Sequence, residues 1–505
     1  MQELITKYRP WKDGEKIEAL FMFQAGTVWA SLDTVYQSCL ADDRFAARLV
    51  LVTETTVEKS HMAGAEQFLK EKHLKYERYE DVDFSDYHPH VVFIQFPYDA
   101  ACHTPETLSI QFKRQGTRVI YVPYGIEISD TEIAIKDHFH SFVVENAWRI
   151  YTSSPGIKAE YDKYCHNRNA VRVCGSPKFD AISQKEKLPL RKEIVKKADG
   201  RKIVVWKMHF PKKIREGGST YQITPYLEEY IEFAKGLEEY TELFFVILAH
   251  PKMLRGIVAS DIQGDDSLMI KVRELLNIIS SKNNAFIDGS DDYRNSFYHA
   301  DAIIMDRSAV MIEASMLDIP VLLMKNQDYS EKMTVPVENV VNTFCQGTTS
   351  DDMADFMESF ISGRDDNQKE RNQAVRNNFP YSDGNCGKRI VEDIAVNINA
   401  DDRKPKVVLY GTGEICRYYM EKQCWGKDDR FELIAVADSN SQRWDTDFHG
   451  VRVVSPDELK SMDFDAIVIT TEPHYFEIKK SLVYEHYLDE RKIWRIDDFV
   501  VELRG

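Results

Sequence analysis

Short, mostly apolar runs alternate with longer amphipathic stretches along the whole chain, and the alternation predicts strands followed by helices. In the first block, residues 1–185, the runs Ala46–Val52, Val91–Phe96, Arg118–Val122, Ile150–Ser153 and Val171–Cys174 read as strands, with helical patterns such as Met62–Tyr76 and Pro105–Gln115 between them. Apolar strands separated by helices point to a parallel sheet covered on both faces. The second block, residues 186–398, repeats the scheme. Its strands are Ile203–Trp206, Phe244–Leu248, Ala285–Ile287, Ala302–Met305 and Val321–Met324, and its later helices cover Asp351–Ser362 and Gly387–Asn397. The third block, residues 399–505, opens with the charged linker Ala400–Lys406. There Lys406–Tyr410, Leu433–Ala437, Ala466–Thr470 and Lys492–Arg495 read as strands and Gly413–Lys422 as a helix. The expectation is an α/β protein of three Rossmann-like units, with ligand chemistry in the polar loops at the carboxyl ends of the strands.

A chain of 505 residues exceeds what one hydrophobic core supports, which agrees with several units. Its hydrophobic fraction of 43% and charged fraction of 29% are those of globular protein. The net charge of −17 argues against a nucleic-acid partner, which requires a basic face, but leaves room for local basic pockets. The opening residues are polar, and the apolar stretch from Ile17 is interrupted by Gln24 and Gly26. Neither a secretory leader nor a run of ~20 apolar residues is seen, so the expected location is cytoplasmic, with peripheral association at the inner face of a membrane as an option. The eight cysteines lack paired short spacings and suggest neither a zinc site nor a disulfide framework.

The most informative stretch is His299–Lys325. A strand ends at Met305, the loop Asp306–Arg307–Ser308 follows, and a helix containing Glu313 comes next. The start of a helix holds a phosphate through its N–H groups and dipole, and Arg307 adds a charge-assisted contact. Ser308 is equally suited to capping that helix. His250–Pro251 directly follows the strand Phe244–Leu248, one unit before Asp288–Gly289. Trp206–Lys207–Met208–His209 ends the first strand of the second block, with Lys212 and Lys213 close behind; His209 suits either phosphate binding or proton transfer, or simple loop packing. In the first block, Gln95–Asp99 and Tyr121–Gly125 both follow strands.

These segments together resemble the CDP-glycerol glycerophosphotransferases of teichoic-acid and capsule synthesis, over roughly residues 90–395. Asp306, Ser308 and Glu313, with Pro320 and Asp328–Tyr329 beyond, resemble the family's Asp-Tyr-Ser-Ser-x-x-Phe-Asp signature; here Arg307 and Ala309 intervene and Glu313 replaces the second Asp. His250–Pro251 is similar to the family's phosphate-contacting His-Pro. Asp383–Gly384–Asn385, before a helix with Arg389, resembles its closing segment. Where family members carry Trp-His-Gly, with a histidine suspected as base, this chain has Pro123–Tyr124–Gly125. An unperturbed tyrosine is a poor base at neutral pH, so Glu127, Asp99 or His103 stand as substitutes for Tyr124.

The resemblance implies a GT-B architecture, two Rossmann-like domains facing across a cleft, plus a smaller C-terminal Rossmann-like domain. It implies transfer of a polyol phosphate, glycerol phosphate first, from a CDP-linked donor to a glycan or lipid-linked polymer acceptor, with release of CMP. His250, His209, Tyr124 and Glu127 are the catalytic candidates; Asp306, Arg307, Ser308, Glu313, Lys212 and Asp288 are the donor-binding candidates. No metal or other cofactor is required by the sequence. The alternatives are a GT-B glycosyltransferase using a nucleotide sugar and a non-catalytic scaffold. In the third block, Gly411 and Gly413 form a Gly-x-Gly turn and Asp438 follows the second strand, as in a dinucleotide site. Cys416 stands at the fingerprint's third glycine and argues against NAD; a nucleotide-like ligand, a partner or a second copy of the chain is expected there.

Overall fold

The computed structural model describes residues 8–52, 64–216, 219–255, 266–399, 404–428 and 430–503. It divides into a compact unit Tyr8–Ala395 and a second formed by the chain from Val396 onward. The larger unit holds two parallel sheets.

The first sheet is built from β1 (Ile17–Phe23), β2 (Phe45–Leu51), β3 (Glu77–Arg78), β4 (Val91–Ile94), β5 (Arg118–Tyr121), β6 (Arg149–Thr152) and β7 (Val171–Val173). Its order is β3-β2-β1-β4-β5-β6-β7, and every pairing is parallel. The chain starts in the middle and winds outward twice, so the strand order reverses between β1 and β4. Strand β1 was not anticipated. Its run Ile-Glu-Ala-Leu-Phe-Met-Phe is almost wholly buried, and Gln24, which interrupts the apolar pattern, is buried too. Its backbone N–H, and that of Ala25, donate to Gln95 Oε1 at 2.8 and 3.0 Å, so the Gln95 side chain satisfies the backbone at the end of β1.

The second sheet contains β8 (Lys202–Met208), β11 (Leu243–Ala249), β12 (Ala285–Ile287), β13 (Ala302–Met305), β14 (Val321–Met324) and β15 (Cys345–Gly347), in the order β12-β11-β8-β13-β14-β15. It is parallel throughout, with its reversal between β8 and β13. An unanticipated antiparallel hairpin, β9 (Lys213–Glu216) and β10 (Ser219–Gln222), follows β8.

The helix Cys386–Asn397 returns to the first sheet's domain. Both oxygens of Asp180 accept its opening N–H groups, from Cys386 and Gly387, at 2.8 Å, and Tyr151 donates to Asp393 at 2.7 Å. Asp383, just before this helix, pairs with Arg389 at 2.9 Å. Two expected helices are shorter. Pro105–Gln115 splits into a 3-10 turn, Pro105–Thr107, and a helix, Ser109–Arg114. Met62–Tyr76 reduces to Ala65–Glu71, stopped by His73 at φ +53°; residues 62–63 lie outside the described residues.

The smaller unit has one sheet of β16 (Lys406–Tyr410), β17 (Glu432–Ala437), β18 (Asp447–Phe448), β19 (Val451–Val454), β20 (Ala466–Ile469) and β21 (Ile493–Arg495), ordered β18-β19-β17-β16-β20-β21. All but the β18–β19 pair are parallel. Of the linker Ala400–Lys406, residues 400–403 lie outside the described residues. Among the described residues, no helix is long and apolar enough to cross a membrane.

Candidate active site

Open parallel sheets bind ligands beyond the carboxyl ends of their strands, where the strand order reverses. In the larger unit the two reversals point at one cavity of about 980 Å³. From the first sheet it receives Thr27 and Val28 after β1, Phe96 and Tyr98 after β4, and Tyr124 after β5. From the second come Lys207 and His209 at β8, His250 at β11, Asp288 at β12 and Arg307 at β13. The two walls meet closely: a Cβ on Gly125 would lie 2.7 Å from Ala309 Cβ, so the Pro-Tyr-Gly turn and the small residue after Ser308 fit each other.

The two histidines of the second wall have fixed and complementary roles. His209 Nδ1 lies 2.8 Å from the Phe210 carbonyl, which places the proton there and leaves Nε2 as an acceptor. His250 Nδ1 accepts the Lys252 backbone N–H at 3.2 Å, which places its proton on Nε2 as a donor. Their ring centroids are 5.0 Å apart. The surrounding protein, followed by His250 and Arg307, holds the His209 pKa well below the usual imidazole value, so its ring is neutral.

Basic groups converge beside them. Desolvation, reinforced by nearby Lys178 and opposed by Asp306, lowers the Lys207 ammonium to about 8. Lys212 is lowered by desolvation and then by Arg307. Both shifts record first the burial of an ammonium group and only then its cationic neighbours, an arrangement that gains from an anionic ligand. Arg307 lines the cavity while its guanidinium donates to Glu331 at 2.5 Å and to Ser129 Oγ at 2.8 Å, bridging to the first wall.

Several predicted residues lie behind the wall instead of in it. Asp306 is fully buried; it accepts the His209 N–H at 2.8 Å and the Tyr230 hydroxyl at 3.0 Å, and burial raises its carboxyl to about 7. Ser308 does not line the cavity; its Oγ accepts the Val310 N–H at 3.4 Å, and the helix beyond, Met311–Ser315, is only five residues long. Glu313 is buried, holding Lys178 at 3.0 Å and the hydroxyls of Tyr293 and Tyr298 at 2.6 and 2.8 Å. Asp288 reaches the wall, but its oxygens are engaged by Arg191 and Ser296. Glu127 sits outside the lining, its carboxylate accepting the Tyr161 hydroxyl at 2.6 Å while burial raises it to about 7. Asp99 accepts from Ser109, and His103 Nε2 pairs with the Phe96 carbonyl at 3.1 Å. Only Tyr124 of the four first-block base candidates faces the cavity; its hydroxyl is 2.9 Å from that of Tyr98, and burial raises its pKa further.

Lys178, Lys207, Tyr98, Asp137 and His138 were not anticipated. Lys207 carried a signal, since it alternates with buried strand residues just before His209. Asp137 and His138 carried none: they belong to a π-helical turn, Ile135–Phe139, which has no periodic signature. Desolvation first, then Arg307 and Lys212, hold His138 down at about 4.

In the smaller unit Gly411 (φ +97°) and Gly413 make the turn after β16. A Cβ on Gly411 would meet Thr471 Oγ1 at 2.2 Å. Asp438 is buried and turned inward to that loop, accepting the N–H and hydroxyl of Thr412 at 2.9 and 2.5 Å. Cys416 packs in the core beneath.

Residues 146–396 match the profile of the CDP-Glycerol:Poly(glycerophosphate) glycerophosphotransferase family, and residues 403–494 that of C2185-like, N-terminal domains. No curated protein matches the sequence. Among solved structures, a putative UDP-N-acetylglucosamine 2-epimerase from Listeria monocytogenes is similar over 77% of this chain and 98% of its own, at 13% identity and a TM-score of 0.53. UDP-GlcNAc 2-epimerase from Neisseria meningitidis covers 75% and 100%, at 16% identity and 0.50. A variant of the wall teichoic acid polymerase TagF covers 76% and 89%, at 11% identity and 0.50. These likenesses establish the fold of the larger unit as GT-B.

Proposed function

We propose that this chain, whose residues 146–396 match the CDP-glycerol:poly(glycerophosphate) glycerophosphotransferase family, is a transferase that moves glycerol phosphate from CDP-glycerol to a hydroxyl of a glycan or lipid-linked polymer, releasing CMP. The observation that carries the reading is the paired His209 and His250 among Lys207, Lys212 and Arg307, all at the carboxyl ends of strands of the second sheet or in the loops that follow them. The pyrophosphate lies along this wall. The acceptor enters from the side of Tyr98, Tyr124 and His138.

The acceptor oxygen attacks the glycerol-bearing phosphorus, a new P–O bond forms, and the bond to the bridging oxygen breaks, leaving that oxygen and its electron pair on CMP. His250 Nε2–H and the basic side chains stabilise the charge gathering on the departing phosphate. In this reading His209 Nε2 takes the acceptor proton. Alone it is a weak base, but a pyrophosphate beside it supplies the opposite charge that raises an imidazole pKa. Donor binding therefore precedes proton transfer. No step calls on a metal or a bound dinucleotide.

The test is CMP release by the full-length chain from CDP-glycerol, with CDP-ribitol and UDP-N-acetylglucosamine as competitors. Expected is release from the CDP-polyols, accelerated by a polyol-phosphate or glycan acceptor. Turnover of the UDP-sugar with none of CDP-glycerol would overturn the donor assignment.

A further inference from the structure

A second cluster of convergent side chains lies outside the cavity, in the first sheet's domain. His140 ends the π-helical turn Ile135–Phe139, Glu145 sits on the helix Phe142–Asn146, and His166 follows the helix Pro155–Tyr164. His140 Nδ1 and His166 Nδ1 each stand 3.4 Å from one and the same oxygen, Glu145 Oε1. One ligand atom from each of the three residues lies within 4.8 Å of the other two, and the imidazole centroids are 4.6 Å apart.

These separations are long for N–H···O bonds, which cluster at about 2.7–3.2 Å. They do match the ligand-to-ligand edges around a tetrahedral ion: bonds of about 2.0–2.2 Å to nitrogen and oxygen put neighbouring ligands roughly 3.3–3.5 Å apart. The frame is held independently of the three side chains. Asn167, next to His166, donates to the carbonyls of Val144 and Ala147 at 2.9 and 2.8 Å and so ties the His166 turn to the Glu145 helix. Ser141, next to His140, caps the same helix through the Val144 N–H. Exposure rises from 12% at Glu145 to 29% at His140 and 45% at His166, so one side of the cluster opens to solvent.

We propose that His140, Glu145 and His166 form a binding site for one divalent transition-metal ion, with water completing the shell. Two imidazoles and one carboxylate favour Zn²⁺ over Mg²⁺ or Ca²⁺, which take oxygen ligands. The site bears on the cavity through the chain itself. Asp137 and His138, which line the acceptor side, precede His140 in the chain with only Phe139 between. An ion at His140 pins one end of the turn that carries them.

The test uses the untagged full-length chain, stripped with chelator and titrated with Zn²⁺ by calorimetry and with Co²⁺ by visible absorption. Expected is one equivalent bound, with the strong d–d bands of four-coordinate Co²⁺. His140→Ala, Glu145→Gln and His166→Ala should each weaken binding by about tenfold or more, with circular dichroism of the metal-free variants unchanged. His166 is the most exposed of the three, so its variant keeps the test decisive if another fails to fold. Zn²⁺ should also slow amide exchange over residues 135–140. Absence of stoichiometric binding, or binding that persists unchanged in the His166→Ala variant, would overturn the site; binding without slowed exchange would overturn the pinning.

Discussion

Replacing Arg307 with Met separates two jobs that one side chain performs. Its guanidinium bonds Glu331 and Ser129, with side-chain exposures of 17% for Arg307 and 7% for Glu331. Removing one partner of a buried pair costs about 3–5 kcal/mol. Here the Ser129 hydroxyl still serves Glu331 at 2.5 Å and the arginine is partly exposed, so about 2 kcal/mol is the expected loss. Adding Glu331→Gln removes the stranded carboxylate and should recover most of it. Donor affinity should not recover, because a charged hydrogen bond to phosphate is worth about 1–3 kcal/mol, a 5- to 150-fold change in Kd. The lower part of that range is favoured, since losing Arg307 also relieves Lys212, whose charge it opposes. Chemical denaturation gives the first quantity and calorimetry with CDP-glycerol the second, for both variants. Wild-type affinity in the single variant, or recovered affinity in the double one, would reduce Arg307 to a clasp between the two walls.

Three further outcomes are expected. His250→Ala should abolish CMP release while leaving the thermal transition in place, measured with the donor found active; near-wild-type turnover would remove His250 from the phosphate site. Burial holds the Glu127 carboxyl at about 7 against 4.5 when exposed, so its contribution is full below pH 4.5 and fades as pH rises through 7. That gap corresponds to about 3 kcal/mol; Glu127→Gln should flatten the fall in stability between pH 5 and 8, and an unchanged pH profile would contradict it. A chain ending at Asn399 should fold and release CMP, since Tyr8–Ala395 is a compact unit, but should differ in acceptor preference or in size by gel filtration; loss of CMP release from a folded truncated chain would place the C-terminal unit in the active site.

Much of the sheet was legible because parallel strands buried on both faces are apolar in succession. Ala285–Ile287, Ala302–Met305 and Val321–Met324 occur with the expected bounds. Strand β1 escaped because its polar terminator, Gln24, looks like an interruption of the apolar run until its backbone is seen held by Gln95 and its amide by the Cys102 carbonyl. The loops carrying His209, His250 and Arg307 were legible as strand ends. Which side chain of such a loop faces the cavity was not: Asp306 and Ser308 flank Arg307, yet both turn inward. Neighbouring loop residues have no fixed period, so their direction depends on partners such as Tyr230, far away in sequence. Lys178, held by Glu313 across 135 residues, was hidden for the same reason.

The carboxylate of Asp180 also fixes an order of events during synthesis. It holds the Thr34 hydroxyl at 3.1 Å and the N–H groups of Cys386 and Gly387, so its partners lie near the two ends of the larger unit. Cys386 follows it by 206 residues. At about 5–20 residues added per second, the ribosome takes roughly 10–40 s to cover that distance. Throughout that interval the first sheet is complete in sequence but lacks the helix that covers it. The nascent chain therefore carries an uncapped, partly apolar face until nearly the whole unit has emerged, and this is the stage at which a chaperone has most to shield.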